Sequence, residues 1–182
     1  MKTSDGIYFA PGILLKKLDL SNKDSLIAAF EKRITGFYLD PIKLLNDKKH
    51  AFAAGVIEFA MIDALARYYT LRNAVEDRIV EILHNNFNIS RHVAKRVYKK
   101  FRNGLLHENR IKECGQFCYE LSDWYSGEGG CLIVNPEKLC HELEKYSKDY
   151  IGKLKNDEKL YKTFHSRIKD DLEEEIKYFQ SN

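Results

Sequence analysis

The chain has 182 residues, 44% of them hydrophobic, 31% charged and 12% aromatic, and a formal net charge of +3. That length suits one domain with a core of its own, and the aromatic content excludes a disordered polymer. The most apolar run, AFAAGVIEFAMI at 51–62, contains Glu58 and is too short to span a bilayer; MKTSDGIYFAPG at the start lacks the pattern of a signal peptide, so no membrane association and a cytoplasmic location are expected.

Residues 1–20, with Gly6, Pro11 and Gly12, read as an irregular or extended arm, and 21–182 as a single all-α domain. Ser21 or Asn22 caps a first helix through KDSLIAAFEKR, and a second short helix follows Pro41. From His50 to Arg72 the chain is apolar nearly all round, the pattern of a central helix, so its few ionisable residues need partners. Asp63 and Arg67 at i, i+4 offer one pairing; bracing of Arg102 or His107 by Glu58 or Asp63 offers another.

A further helix covers about residues 74–87, and Ser90 caps the next, which holds KKFRNGLLHENR at 99–110. Beyond it, aromatic and β-branched residues around Gly127, Gly129 and Gly130 predict a small β-hairpin at about 116–134. Pro136 starts a helix and another runs over about 157–179, with the acidic DDLEEE at 170–175 as a solvated face or a shield for a basic cleft. Cys114, Cys118, Cys131 and Cys140 lack zinc-ligand spacing and read as small hydrophobes in a reducing compartment; no metal or cofactor is expected.

Charge is concentrated in one place. Between Arg91 and Lys112 eight Lys or Arg face a single acid, Glu108. On a helix, Ala94, Val97, Tyr98, Phe101 and Leu105 form the packing stripe, and Arg96, Lys100, Asn103 and His107 lie opposite. Leu106, among the cations of the flank, suggests a second buried surface such as a subunit contact. Gly104 costs about 1 kcal/mol in a helix interior and so marks a close approach or a bend. A basic stripe with one histidine is also what a solvated face looks like. The residue types favour phosphate chemistry, because arginine is a fixed forked cation, histidine exchanges a proton near neutrality, and asparagine orients either.

FRNGLLHE resembles the Arg-x4-6-His signature of the HEPN superfamily (higher eukaryotes and prokaryotes nucleotide-binding domains), including the polar residue directly after the arginine. The resemblance implies a helical bundle, commonly dimeric, and a metal-independent endoribonuclease whose two motifs meet in a basic cleft. Carried onto this chain it makes Arg102, Asn103 and His107 the candidate catalytic residues, Arg96, Lys99, Lys100 and Arg110 the candidate RNA-binding residues, and Glu58 and Asp63 their support. The expected partners are RNA and a second copy of the chain, with room for an inhibitory protein, in bacterial defence or stress response. A non-catalytic module that binds RNA or a nucleotide, or scaffolds a complex, is the alternative. Two features depart from the pattern: Asn109 stands where HEPN toxins paired with a nucleotidyltransferase antitoxin often carry tyrosine, and a minimal HEPN bundle has no hairpin after the motif.

Overall fold

Helix starts fall at caps that the sequence supplies. In the computed structural model, which describes residues 7–127 and 130–180, the Asn22 side chain accepts the Ser25 amide and opens α1 (Lys23–Ile34). A π-turn, Thr35–Leu39, joins it to α2 (Asp40–Asp47), so the helix expected after Pro41 continues the first one. Proline lacks the amide a regular helix would use there, and the widened turn shifts the ladder at that point. Next come α3 (Ala51–Tyr69), α4 (Val75–Asn86) and α5 (Arg91–Val97), the last capped by Ser90 on the Val93 amide. A second π-turn, Tyr98–Arg102, leads into α6 (Asn103–Glu108). Asn135 caps α7 (Pro136–Asn156), and α8 (Glu158–Gln180) follows.

The helices bundle around α3, which packs on α2, α4, α7 and α8. Phe59, Met61, Ile62, Leu65 and Ala66 of α3 are buried. Phe30 of α1 meets Tyr68 and Phe164 edge-on, with centroids at 5.2 and 4.9 Å, and so ties α1, α3 and α8 together. Such aromatic pairs add about 0.5–1.5 kcal/mol each beyond the area they bury. Among the described residues no helix is long and apolar enough to cross a membrane.

Of the arm expected over residues 1–20, residues 1–6 lie outside the described residues, and the rest takes the extended form of the two expected. β1 (Tyr8–Ala10) and β2 (Ile13–Leu14) pair antiparallel across a turn with Gly12 at φ +72°, and a 3-10 turn, Leu15–Lys17, follows. Phe9, Ala10, Leu15 and Leu18 are buried, and Arg33 of α1 donates to the Phe9 carbonyl at 2.6 Å. Burial of these apolar side chains is what organises the arm.

The segment expected as a hairpin is a three-stranded sheet. β3 (Gly115–Phe117), β4 (Tyr125–Ser126) and β5 (Leu132–Val134) lie in the order β3-β5-β4; β4 is antiparallel to β5, and β3 is parallel to it. The buried Asn135 side-chain amide donates to the carbonyls of Tyr119 and Leu121, both at 2.9 Å, which fixes the crossing between β3 and β4. Register pairs Gly115 with Leu132, so the residues just before them are neighbours. These are Cys114 and Cys131, which form a disulfide with Cα atoms 5.0 Å apart. Two of the four cysteines are therefore not the free small hydrophobes expected; Cys118 and Cys140 remain thiols. Burial, with the neighbouring Glu58 next in effect, pushes the Cys140 thiol up to about 12.

Candidate functional site

The helix that carries the motif is interrupted where the sequence offered no sign of it. Ala94, Val97, Phe101 and Leu105 pack on the bundle as the periodicity requires, and Phe101 stacks on Phe59 at 5.4 Å. The π-turn at Tyr98–Arg102 holds one residue more than an α-turn, and the packing stripe continues on both sides of it. Lys100, which a wheel at 100° per residue places on the outer stripe, is buried by the turn that follows α6. Its ammonium donates to the Glu113 carbonyl and lies 3.6 Å from the Glu113 carboxylate. Turns of this kind occur often at functional sites, and this one ends on Arg102.

Arg102 is held from two sides. Its Nε donates to Asp63 Oδ2 at 3.1 Å and its Nη2 pairs with the same oxygen. Asp63 Oδ1 lies 3.9 Å from Nη2 of Arg78, whose Nη1 donates to the Asn73 carbonyl at 2.7 Å. Burial lowers the pKa of Arg78, and Asp63 opposes that shift. On the other side Arg102 Nη1 donates to Asn103 Oδ1 at 3.1 Å and meets His107 Nε2 at 2.7 Å. A guanidinium carries donors only, so Nε2 accepts, and the imidazole is neutral with its proton on Nδ1. The Tyr98 ring lies 5.8 Å from the guanidinium carbon.

Arg102 and His107 are five residues apart, about 140° round a regular helix. The length of the arginine side chain closes that angle, with Asp63 fixing one edge of the guanidinium and leaving Nη1 turned toward the imidazole. Gly104 serves a close approach. A Cβ there would strike the Arg110 carbonyl, because the chain reverses at Asn109 (φ +52°) and the Arg110 amide bonds back to the Gly104 carbonyl at 3.1 Å.

The remaining sequence-predicted residues separate into groups. Asp63 braces Arg102, while its i, i+4 neighbour Arg67 pairs instead with Asp171 of the acidic run. Glu58 does not reach the motif: it is fully buried, facing Asn46 and Cys140, and neither carboxylate oxygen has a hydrogen-bond partner. Burial, opposed in part by the nearby Asn46 side chain, holds its pKa well above the usual carboxylate range. The reason is geometric, since Glu58 and Asp63 point to different sides of α3. Arg96 donates to the Gly130 carbonyl at 2.8 Å and weakly to that of Cys131 at 3.4 Å. With Lys100 it has been taken up by the chain itself, which corrects the expectation of an open basic stripe. Lys99 and Arg110 are exposed, Arg110 beside Glu108 at 2.9 Å. Leu106 is half-buried and stands outside the core cluster.

Sequence reasoning missed Arg78 and read Tyr98 only as packing, where its ring stands beside the Arg102 guanidinium. Arg78 carried a signal, since it precedes the buried Ile79, Ile82 and Leu83 at helical spacing and so falls beside the packing stripe of α4. Trp124 packs on Phe87 with centroids 6.2 Å apart and is buried, which leaves it part of the bundle. Four clefts of about 140 to 660 Å³ are lined by other residues than Arg102 and His107. Among the described residues no three His, Cys, Asp or Glu gather as a metal-ligand set. No protein-family model, curated protein or solved structure matches the chain.

Proposed function

We propose that the chain is an endoribonuclease of the HEPN type that cleaves RNA without a metal, through attack of the 2′-hydroxyl on the adjacent phosphate. The observation that carries this reading is the 2.7 Å contact between Arg102 Nη1 and His107 Nε2, with Asp63 fixing the far edge of the guanidinium. It joins a fixed cation to a neutral, exposed imidazole. A phosphate oxygen that takes the Nη1 hydrogen frees Nε2 to accept the 2′-hydroxyl proton. Arg102 then neutralises the phosphorane charge, and the departing 5′-oxygen takes a proton from an imidazolium. Asp63 and Asn103 act as positioning residues. One chain supplies a single such imidazole, so a second copy across a groove completes the acid and base pair. Half-buried Leu106, next to His107 and outside the core, is the contact proposed for that copy. Bacterial defence or stress response, with an inhibitory partner protein, fits such an activity.

A second reading rests on an observation of its own: within one chain each nitrogen of Arg102 already has a partner. That arrangement favours a module that binds RNA or a nucleotide, or scaffolds a complex, without cutting. The two part in one assay. In EDTA the purified protein should cut RNA but leave DNA of the same sequence whole, and the products should end in a 2′,3′-cyclic phosphate. RNA bound but never cut selects the second reading, and neither bound nor cut removes both.

A further inference from the structure

The two cations that left the expected basic stripe end at the same place. Lys100 holds the carbonyl of Glu113, one residue before Cys114, and Arg96 holds the carbonyls of Gly130 and Cys131. The disulfide between Cys114 and Cys131 therefore joins the two backbone segments that occupy these side chains. Glu113 and Cys114 both sit in the left-handed region, at φ +46° and +62°, a conformation side chains with a Cβ adopt at a cost. The bridge, the Lys100 contact and the Lys112 amide on the Lys100 carbonyl at 3.0 Å hold that turn in place. Cys114 is exposed, so a reductant in solution can reach it.

We infer that Cys114–Cys131 is a reversible thiol–disulfide site whose reduction releases Arg96 and Lys100 to bind RNA phosphates; this rests on the RNA-binding part of the function proposed above. The co-reactant is a dithiol. Its thiolate attacks one sulfur of the bridge, forming a mixed disulfide and expelling the other cysteine as a thiolate. The second thiol of the dithiol then displaces the first cysteine. Two electrons and two protons pass to the protein, which holds two thiols, while the dithiol leaves as a cyclic disulfide. Without the bridge the paired left-handed residues relax toward ordinary backbone, the Glu113 carbonyl withdraws from Lys100, and the Gly130 and Cys131 carbonyls loosen their hold on Arg96. Both side chains come from the helix that carries Arg102 and His107, so a strand contacting them runs along the motif.

The test compares the full chain oxidised, reduced with dithiothreitol, and as the Cys114→Ser, Cys131→Ser double variant. Amide exchange should quicken at Lys112 and Gly115, whose amides bond to the Lys100 and Lys112 carbonyls, and stay slow in α3. An unstructured single-stranded RNA should bind more tightly to the reduced protein and to the double variant. Its logarithmic salt dependence should steepen by about 1.4, two phosphate contacts at about 0.7 each. Adding Arg96→Ala and Lys100→Ala should abolish that gain under reduction. The inference is overturned by equal affinity and slope in the two redox states, by no RNA binding in either, or by a gain that survives both alanines. Exchange that quickens throughout α3 on reduction also overturns it, because the bridge is then only a staple. Binding that responds to redox state without any cleavage keeps this inference and removes the nuclease; cleavage with binding indifferent to redox state does the reverse.

Discussion

Glu58 and Asp63 stand five residues apart on α3, and the two carboxyl groups meet opposite surroundings. Asp63 faces Arg102 and Arg78 at the boundary with solvent, whereas Glu58 is enclosed by α2 and α7 side chains with no cation and no hydrogen-bond partner. Burial is deeper at Glu58, yet the geometry on which the proposed cleavage rests is all at Asp63. An enclosed acid without a counter-charge keeps its proton and gives up no field to its neighbours. An acid that meets a guanidinium at the surface fixes where that cation can point. What a neighbouring helix brings to a carboxylate, more than how far water is excluded, decides which of the two it becomes.

The largest effect expected lies on the Asp63 side. Arg102→Ala and His107→Ala should each slow RNA cleavage by about a hundredfold or more, about 2.7 kcal/mol of barrier, while Glu58→Gln leaves the rate within about twofold. A Glu58 variant as slow as the Arg102 variant, in single-turnover assays, would break the contrast. Next comes Asp63→Asn. It leaves two guanidinium groups without their shared carboxylate, and urea unfolding should show a loss of about 2 kcal/mol, below the range for fully buried pairs because Asp63 is partly exposed. An unchanged midpoint would show that Asn103, His107 and backbone carbonyls suffice to hold the cations.

Glu58 has its own signature in pH. Its folded pKa lies above the unfolded value, so the native state binds more protons than the unfolded chain once pH passes the ordinary carboxylate range. Its contribution is complete below that range and is lost as pH rises toward the folded pKa, at up to about 1.4 kcal/mol per pH unit for one proton. Thermal unfolding from pH 5 to 8 should therefore show Glu58→Gln gaining on the parent as pH rises. Parallel curves would mean that Glu58 is ionised in the folded protein. The smallest effect belongs to Arg110, exposed beside Glu108. Arg110→Ala should leave the melting temperature where it was and lower the salt dependence of single-strand RNA binding by about 0.7.

Much of this was written locally in the chain. Asn22 and Ser90 announce helix starts by the chemistry of their side chains and Pro136 by its ring, and Ala94, Val97, Phe101 and Leu105 announce a packing face by their spacing. The rule that a charge on an apolar helix needs a partner offered Asp63 two pairings, with Arg67 or with the motif, and only where the helices dock selects Arg102. What escaped was set at a distance or by a single extra residue. A helix wheel says nothing of what folds back over its outer side, so Lys100 was read as open where the turn at Glu113 covers it. The parallel register of Gly115–Phe117 on Leu132–Val134 depends on a buried asparagine holding a crossing, and the Cys114–Cys131 bridge follows only from that register. Arg78 owes its role to where α4 docks, which no stretch of its own sequence states.

The π-turn also sets how this helix can change length. Tyr98–Arg102 carries one residue more than an α-helix accommodates, so deleting a single residue there restores an unbroken helix and need not harm the fold. Arg91–Val97 and Asn103–Glu108 would then keep their places, because the turn alone gives up the residue. The same deletion inside Arg91–Val97 would turn everything after it by about 100° and shift it by about 1.5 Å, taking Leu105 out of the bundle and Arg102 away from Asp63. Between two sequences of this kind, a one-residue gap at this turn leaves one site, whereas the same gap a turn earlier separates two.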